Sequence, residues 1–252
     1  MSPSLAPREA ADVPLRGELR YGLELTRLLM AGEFRRPRSG GSDPPVLLVP
    51  GFMAGDQSLA VLGGWLRRRG CDTATAGMLC NVDCGERGVA GIEARLQRLA
   101  QRANGRAVVI GQSRGGEHAR VVAVRNPNLV SMVVMLGSPV LDPLGVGRVV
   151  LSAVRSVARL GDMGVPRMFS SECGDGDCCA AFRDDLRAPL PAGLRAVAIY
   201  SQSDGVVSWE ACLDPCAKHV EVDSSHSGMS VNLGVYRVLG RLLDQEEDRW
   251  TG

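Results

Sequence analysis

The run AVVIGQSRGGEHAR, residues 107–120, constrains this chain more than any other stretch. Apolar residues Ala107 to Ile110 end at Gly111, and a helix-compatible segment begins directly after Ser113. Glycines stand two positions before and two positions after that serine. A strand that turns abruptly into a helix forces its apex residue into a strained backbone conformation, and bulky neighbours two positions away would collide there. The strain lifts the serine hydroxyl clear of the sheet. It also sets the hydroxyl at a helix N-terminus, where backbone N–H groups and the helix dipole favour developing negative charge. With a strand before it and a helix after it, G-x-S-x-G reads as a nucleophile elbow.

The remaining sequence supplies the sheet that such a junction needs. Short apolar runs recur at PVLLVPG (45–51), CDTATAGM (71–78), RAVVIG, LVSMVVMLGSP (129–139), RAVAIYS (195–201) and HVEVDS (219–224). Between them lie helical patterns at 58–70, ending on Gly70 as a C-cap, at 88–104, and from the elbow to Asn126. A last helix runs from about Asn232 to Gln245. Near-continuous apolar strands separated by helices predict a doubly wound, mostly parallel α/β sheet covered on both faces. The segment 140–193 interrupts this rhythm with a helix near Val149–Leu160, a cysteine-rich turn and RAPLPAG, and reads as a cap. The expected organisation is 1–44 as a tail, amphipathic helix and linker, 45–139 and 194–246 as core, and 140–193 as cap. Within the first part, residues 1–14 read as frayed, Leu15 to Phe34 as a helix packing on the domain, and RRPRSGGSDPP as linker.

Composition excludes some classes. A net charge of +1 gives no pull toward nucleic acid. Lys218 is the only lysine, and the arginine bias reads as codon composition. No apolar run reaches the roughly 18–20 residues of a membrane span, although peripheral lipid contact stays open. The N-terminus lacks a secretory apolar segment, so a cytoplasmic location is expected, with the cysteines leaving export open. Eight cysteines fall in three groups: 71, 80 and 84; 173, 178 and 179; 212 and 216. Cys212, Cys216 and His219 offer three zinc ligands without a fourth nearby, so no metal is expected. CGDGDCC is the best place for a disulfide-pinned loop, and buried reduced thiols are the plainer reading.

A serine hydroxyl becomes a nucleophile when a base takes its proton. Of the three histidines, His118 reads as lying on the surface of the elbow helix and His219 as leading into a strand. His226, in DSSHSGMS beyond the last strand, remains as the base, at the sheet edge where ligands collect. Asp204, in the turn after RAVAIYS, is the orienting acid ahead of Asp223, Glu210 or a cap carboxylate; Asp175, Asp177, Asp184 and Asp185 read as solvated. The oxyanion donors are the N–H of Arg114 and, beyond PVLLVPG, that of Phe52, with Met53 next.

At LLVPGFMAG, VVIGQSRGG, VMLGSP, YSQSDGVVSW and SSHSGMS, from Pro45 to Leu239, the sequence resembles the α/β-hydrolase superfamily, and within it bacterial lipase- and esterase-like hydrolases. The cysteine-rich cap and CLDPC are similar to a group of actinobacterial hydrolases. Gln112 stands where lipases often carry histidine, and PGF replaces the common HG pair. The resemblance implies a cap inserted after strand 6 of the superfamily's count, the 129–139 run. It also implies a serine hydrolase cleaving carboxylic esters through an acyl-enzyme, with catalytic Ser113, Asp204 and His226, an oxyanion hole at Phe52 and Arg114, and substrate contacts at Met53 and Gln112. No cofactor is implied, and the substrate is a small-molecule or lipid ester. Val149, Leu151 and Val154 are expected to wall the acyl pocket. Acyl transfer, thioester cleavage, or binding without catalysis on the same fold are the competing readings.

Overall fold

The computed structural model describes residues 10–13, 15–35 and 43–250. Residues 1–9 and most of the expected linker, 36–42, lie outside the described residues. Six strands form one sheet: β1 (Val46–Val49), β2 (Thr73–Thr75), β3 (Ala107–Gln112), β4 (Val130–Leu136), β5 (Arg195–Tyr200) and β6 (Lys218–Glu221). Their order is β2-β1-β3-β4-β5-β6 and every pairing is parallel. The chain leaves β1 toward β2 and then returns to pair β3 on the other side of β1. The carboxyl ends of β1 and β3 therefore flank a topological switch point, where open α/β sheets bind ligands.

Side-chain alternation along each strand feeds two cores. Val46, Leu48, Val108, Ile110, Met132 and Val134 face one layer. It contains α1 (Tyr21–Met30), α3 (Ala60–Arg69) and α9 (Leu233–Trp250), which supply Leu28, Leu62, Leu66, Val235 and Leu239. Between α1 and α3 lies the short α2 (Gly32–Arg35). Leu47, Val49, Val109, Val133 and Met135 face the opposite layer of α4 (Gly85–Ala103) and α5 (Arg114–Arg125). As expected of Gly70, it closes α3 in the left-handed conformation, at φ 106°.

The segment after β4, the fourth strand of this chain, carries α6 (Arg148–Asp162), the four-residue α7 (Glu172–Asp175) and α8 (Ala180–Arg187). Phe182 and Leu186 on α8 enter the second core. Arg120 ties this helix down from α5. Its buried guanidinium donates to Asp214 at 2.6 Å and to the carbonyls of Asp185 and Ala188 at 3.2 and 3.0 Å. Arg125 adds Asp185 at 2.6 Å and Glu86 at 2.8 Å. Asp185 is thus half-buried in an ion pair rather than solvated.

The N-terminal region departs from the expected single helix. It is a 3₁₀ turn over Leu15–Arg20, then α1, then α2, with Ala31 extended between the last two. Its seat on the domain sets this shape: a Cβ on Gly17 would lie 2.7 Å from the carbonyl oxygen of Ser203. Residues 10–13 also include an ordered contact where fraying was expected, since Ala11 N–H donates to the Val146 carbonyl at 3.0 Å.

Removing one partner of a buried ion pair strands the other charge. Arg120→Ala is expected to lower unfolding free energy by about 3–5 kcal/mol, measured by urea denaturation; a loss under about 1 kcal/mol would contradict the anchoring role.

Candidate active site

Ser113 sits between β3 and α5 with φ 53° and ψ −128°, a conformation an L-residue adopts only when its surroundings hold it there. The surroundings are backbone. A Cβ on Gly111 would stand 2.2 Å from the Gly115 carbonyl oxygen, and one on Gly115 would stand 2.3 Å from that of Val49. Gly116 instead faces the Ser138 side chain, which a Cβ there would strike. The glycines are required because α5 starts against the ends of β1 and β3 with no space for a side chain.

Asp204 follows β5 and His226 follows β6. Asp204 Oδ1 accepts the N–H groups of Val206 and Val207, both at 2.8 Å, which leaves Oδ2 directed to His226 Nδ1 at 2.7 Å. A carboxylate can only accept, so the ring carries its proton on Nδ1 and presents the lone pair of Nε2. Burial lowers the affinity of His226 for a second proton, but the Asp204 charge and hydrogen bond, with Glu18 behind them, raise it overall above the ordinary value. Ser113 and His226 line one cavity of about 330 Å³, together with Gly51, Phe52 and Gln112.

The other acids considered for His226 are engaged elsewhere. Asp223 is exposed and takes both oxygens to Arg20 at 2.8 Å, which with Ser203 pulls its pKa down to about 2. Glu210 is exposed and bonded to Ser208.

The β1 loop approaches the elbow closely: a Cβ on Gly51 would lie 3.2 Å from the Ser113 Cβ. Phe52 lines the cavity beside Ser113. Met53 is committed differently from the expected reserve donor, because its N–H gives to the Asn81 carbonyl at 3.3 Å and its side chain is exposed. Gln112 is buried, and its amide donates to the His226 carbonyl at 3.0 Å. It steadies the histidine loop as well as lining the cavity. The Arg114 side chain turns the other way, donating to the carbonyls of Asn81 at 3.2 Å and Asp83 at 2.7 Å, with its guanidinium 4.9 Å from the Phe169 ring centre.

A second, adjoining cavity of about 150 Å³ leads from Ser113 between Phe52, Leu144, Val146, Val150, Val154 and Phe169. Of the expected lining, Val154 is there. Val149 points to solvent and Leu151 is buried with Val207 and Cys212, because helical spacing sends Val150 and Val154 to the same face.

Three carboxylates of the site escaped the sequence reading. Glu18 accepts the N–H groups of Gly205, His226 and Ser227 at 3.2, 2.7 and 2.9 Å. Glu24 is buried and accepts both the N–H and the hydroxyl of Ser225, at 2.9 and 2.8 Å. The N-terminal helices therefore brace the histidine loop, and no local pattern marks two acids on an amphipathic segment for that task. Glu117 lines the smaller cavity, where burial, opposed by Arg114, pushes its pKa up to about 8. His118, expected on the helix surface, is wholly buried beside Phe182 and Gly88. It donates from Nδ1 to the Arg114 carbonyl at 2.8 Å, and burial pushes its pKa down to about 3.

No protein-family profile matches the sequence, and no curated protein matches it either. Solved structures do resemble it. Bacillus licheniformis lipase BlEst2 in mature form matches with a TM-score of 0.61 at 16% identity, covering 82% of this chain and 94% of that one. The fold is the α/β-hydrolase fold. A soluble variant of Saccharomyces cerevisiae monoglyceride lipase gives 0.56 at 12% identity, over 85% and 89% of the two chains. Paleococcus ferrophilus monoacylglycerol lipase gives 0.53 at 12%, over 81% and 96%.

Two titrations follow from these surroundings. Removing the Glu18 charge takes away one of the influences that raise His226, so Glu18→Gln should move the His226 midpoint to lower pH in an NMR titration; an unmoved midpoint would contradict the coupling. Glu117 stays protonated in the folded chain up to about 8, whereas the unfolded chain loses that proton near the ordinary 4.5. Stability should therefore fall as pH rises between those values, and Glu117→Gln should flatten that slope in denaturation measured across the range.

Proposed function

We propose that the protein is a serine hydrolase that cleaves carboxylic esters through an acyl-enzyme. The observation carrying this reading is the Asp204–His226 hydrogen bond beside a strained Ser113, with His226 and Ser113 facing one cavity. His226 Nε2 takes the Ser113 proton as Oγ attacks the ester carbonyl, and the resulting imidazolium is held by Asp204. The negative charge on the carbonyl oxygen is met by the N–H groups of Arg114, the first residue of α5, and Phe52. Collapse of the tetrahedral intermediate returns the proton to the leaving alcohol. Water then repeats the sequence on the acyl-enzyme, with His226 again as base and Ser113 released.

The adjoining apolar cavity is the acyl subsite, and the 140–193 segment is its cap through Val146, Val150, Val154 and Phe169. At about 150 Å³ it lies below the size of ordinary drug-sized ligand pockets, which favours short acyl chains. Two of the solved structures of similar fold named above are lipases of monoglycerides by name, which agrees with an ester substrate. Among the described residues no helix is long and apolar enough to cross a membrane.

A fluorophosphonate probe should label the purified protein and fail to label Ser113→Ala, while p-nitrophenyl butyrate should be turned over faster than the palmitate ester. Loss of His226 as His226→Ala should reduce kcat by at least about 10³-fold. An unlabelled, well-folded wild type would leave a binding protein on this fold.

A further inference from the structure

Four sulfur atoms meet between the N-terminus of α4 and the turn that follows α7. Cys84 is the N-cap residue of α4, Cys173 lies on α7, and Cys178 and Cys179 follow in a 3₁₀ turn. All four Sγ atoms lie within 4.8 Å of one another. Cys84 and Cys179 are 3.3 Å apart, Cys173 and Cys178 3.3 Å, and Cys178 and Cys179 3.7 Å. Sulfurs around a tetrahedral zinc, with Zn–S of about 2.3 Å, stand about 3.8 Å apart. The three short separations lie at or just below that value, and no other pair exceeds 4.8 Å. Cys212, Cys216 and His219, the trio at which no metal was expected, form no such group among the described residues: Cys212 is buried, Cys216 is exposed, and His219 is engaged with the Asp214 carbonyl at 2.7 Å.

The surroundings suit four thiolates around one divalent ion, a group of net charge two minus. Cys84 is the N-cap residue of α4, so the quartet sits at the positive end of that helix dipole. Arg87 and Arg114 stand close enough to feel the charge of Cys84 and Cys173. Donors and cations of this kind are the outer partners that tune and hold a metal–thiolate centre. Soft thiolate donors in this number select zinc over the hard cations magnesium and calcium.

We infer that Cys84, Cys173, Cys178 and Cys179 form a structural zinc site that clamps the 140–193 segment to the core. As zinc binds, each thiol gives its proton to solvent and its sulfur lone pair to the metal; no electron changes hands. Four protein ligands close the coordination sphere, so the ion holds structure and activates no water. The clamp bears on the cavity from two sides. Cys173 and Gly174 line the smaller cavity, and Asp83, next to Cys84, accepts the Arg114 side chain at 2.7 Å. The site stands whether or not the protein hydrolyses esters.

Protein purified without chelator from zinc-supplemented cultures should carry about one zinc per chain by inductively coupled plasma mass spectrometry. Cys178→Ser should lose it, as should Cys84→Ser. Cys80→Ser and Cys216→Ser, at exposed thiols outside the quartet, should keep it. Because Cys84 is buried and its replacement threatens folding, the exposed Cys178 supplies the deciding variant. Cobalt(II) added to the metal-stripped wild type should give the visible and sulfur charge-transfer bands of a tetrahedral tetrathiolate, absent in Cys178→Ser. The inference is overturned by folded wild type without zinc, by iron in its place, by undiminished zinc in Cys178→Ser, or by an intact mass showing the four thiols lost as two disulfides.

Discussion

The contact between backbone and backbone at the start of α5 governs this molecule. Gly111 and Gly115 bring the helix against the carboxyl ends of β1 and β3, where a Cβ would come within 2.3 Å of a carbonyl oxygen. That closeness makes Ser113 the apex of a turn it would not adopt alone, at φ 53°. Because β1 and β3 flank the switch point of the sheet, loops from several strand ends converge on the serine: those after β1, β4, β5 and β6 line the cavities beside it. The site is assembled from strand ends because parallel strands bring all their carboxyl termini to one edge.

Around that turn charged side chains tie down the loops in addition to their packing. Arg114 holds the 81–83 loop, Arg120 the end of α8 and the 214 loop, and Glu18 and Glu24 the loop that carries His226. Each uses several hydrogen bonds from one charged group, which are stronger and more directional than neutral ones. An arginine-rich composition that looked like a coding bias therefore supplies much of the wiring. A fork of fixed donors can hold two carbonyls at once, which an ammonium on a flexible stem does less well.

The core was legible because it rests on local periodicity. Each apolar run became a strand, and the helices at 58–70 and 88–104 appeared within a few residues of where their patterns placed them. The order of Ser113, Asp204 and His226 along the chain was readable too, since their types and order are those the proposed chemistry needs. Where the reading failed, the missing information was a distant neighbour. His118 became buried because α8 covers it with Phe182, and nothing near residue 118 announces that cover. Val149 and Val150 exchanged roles because helix phase, not hydrophobicity, decides which of two adjacent valines faces a cavity.

The sequence by itself determined a parallel α/β sheet, the strained serine at its centre, and the residue types able to act beside it. All of these are written in patterns a few residues long, which backbone geometry converts directly into structure. The tertiary structure alone decided that Asp223 is taken up by Arg20, that Glu18 and Glu24 brace the histidine loop across about two hundred residues of chain, and that Cys84 joins three cysteines 89 to 95 positions away. Such meetings depend on where the sheet, its crossovers and the segment after β4 bring remote loops together, and a distance of a few ångströms between side chains leaves no trace in their spacing along the chain.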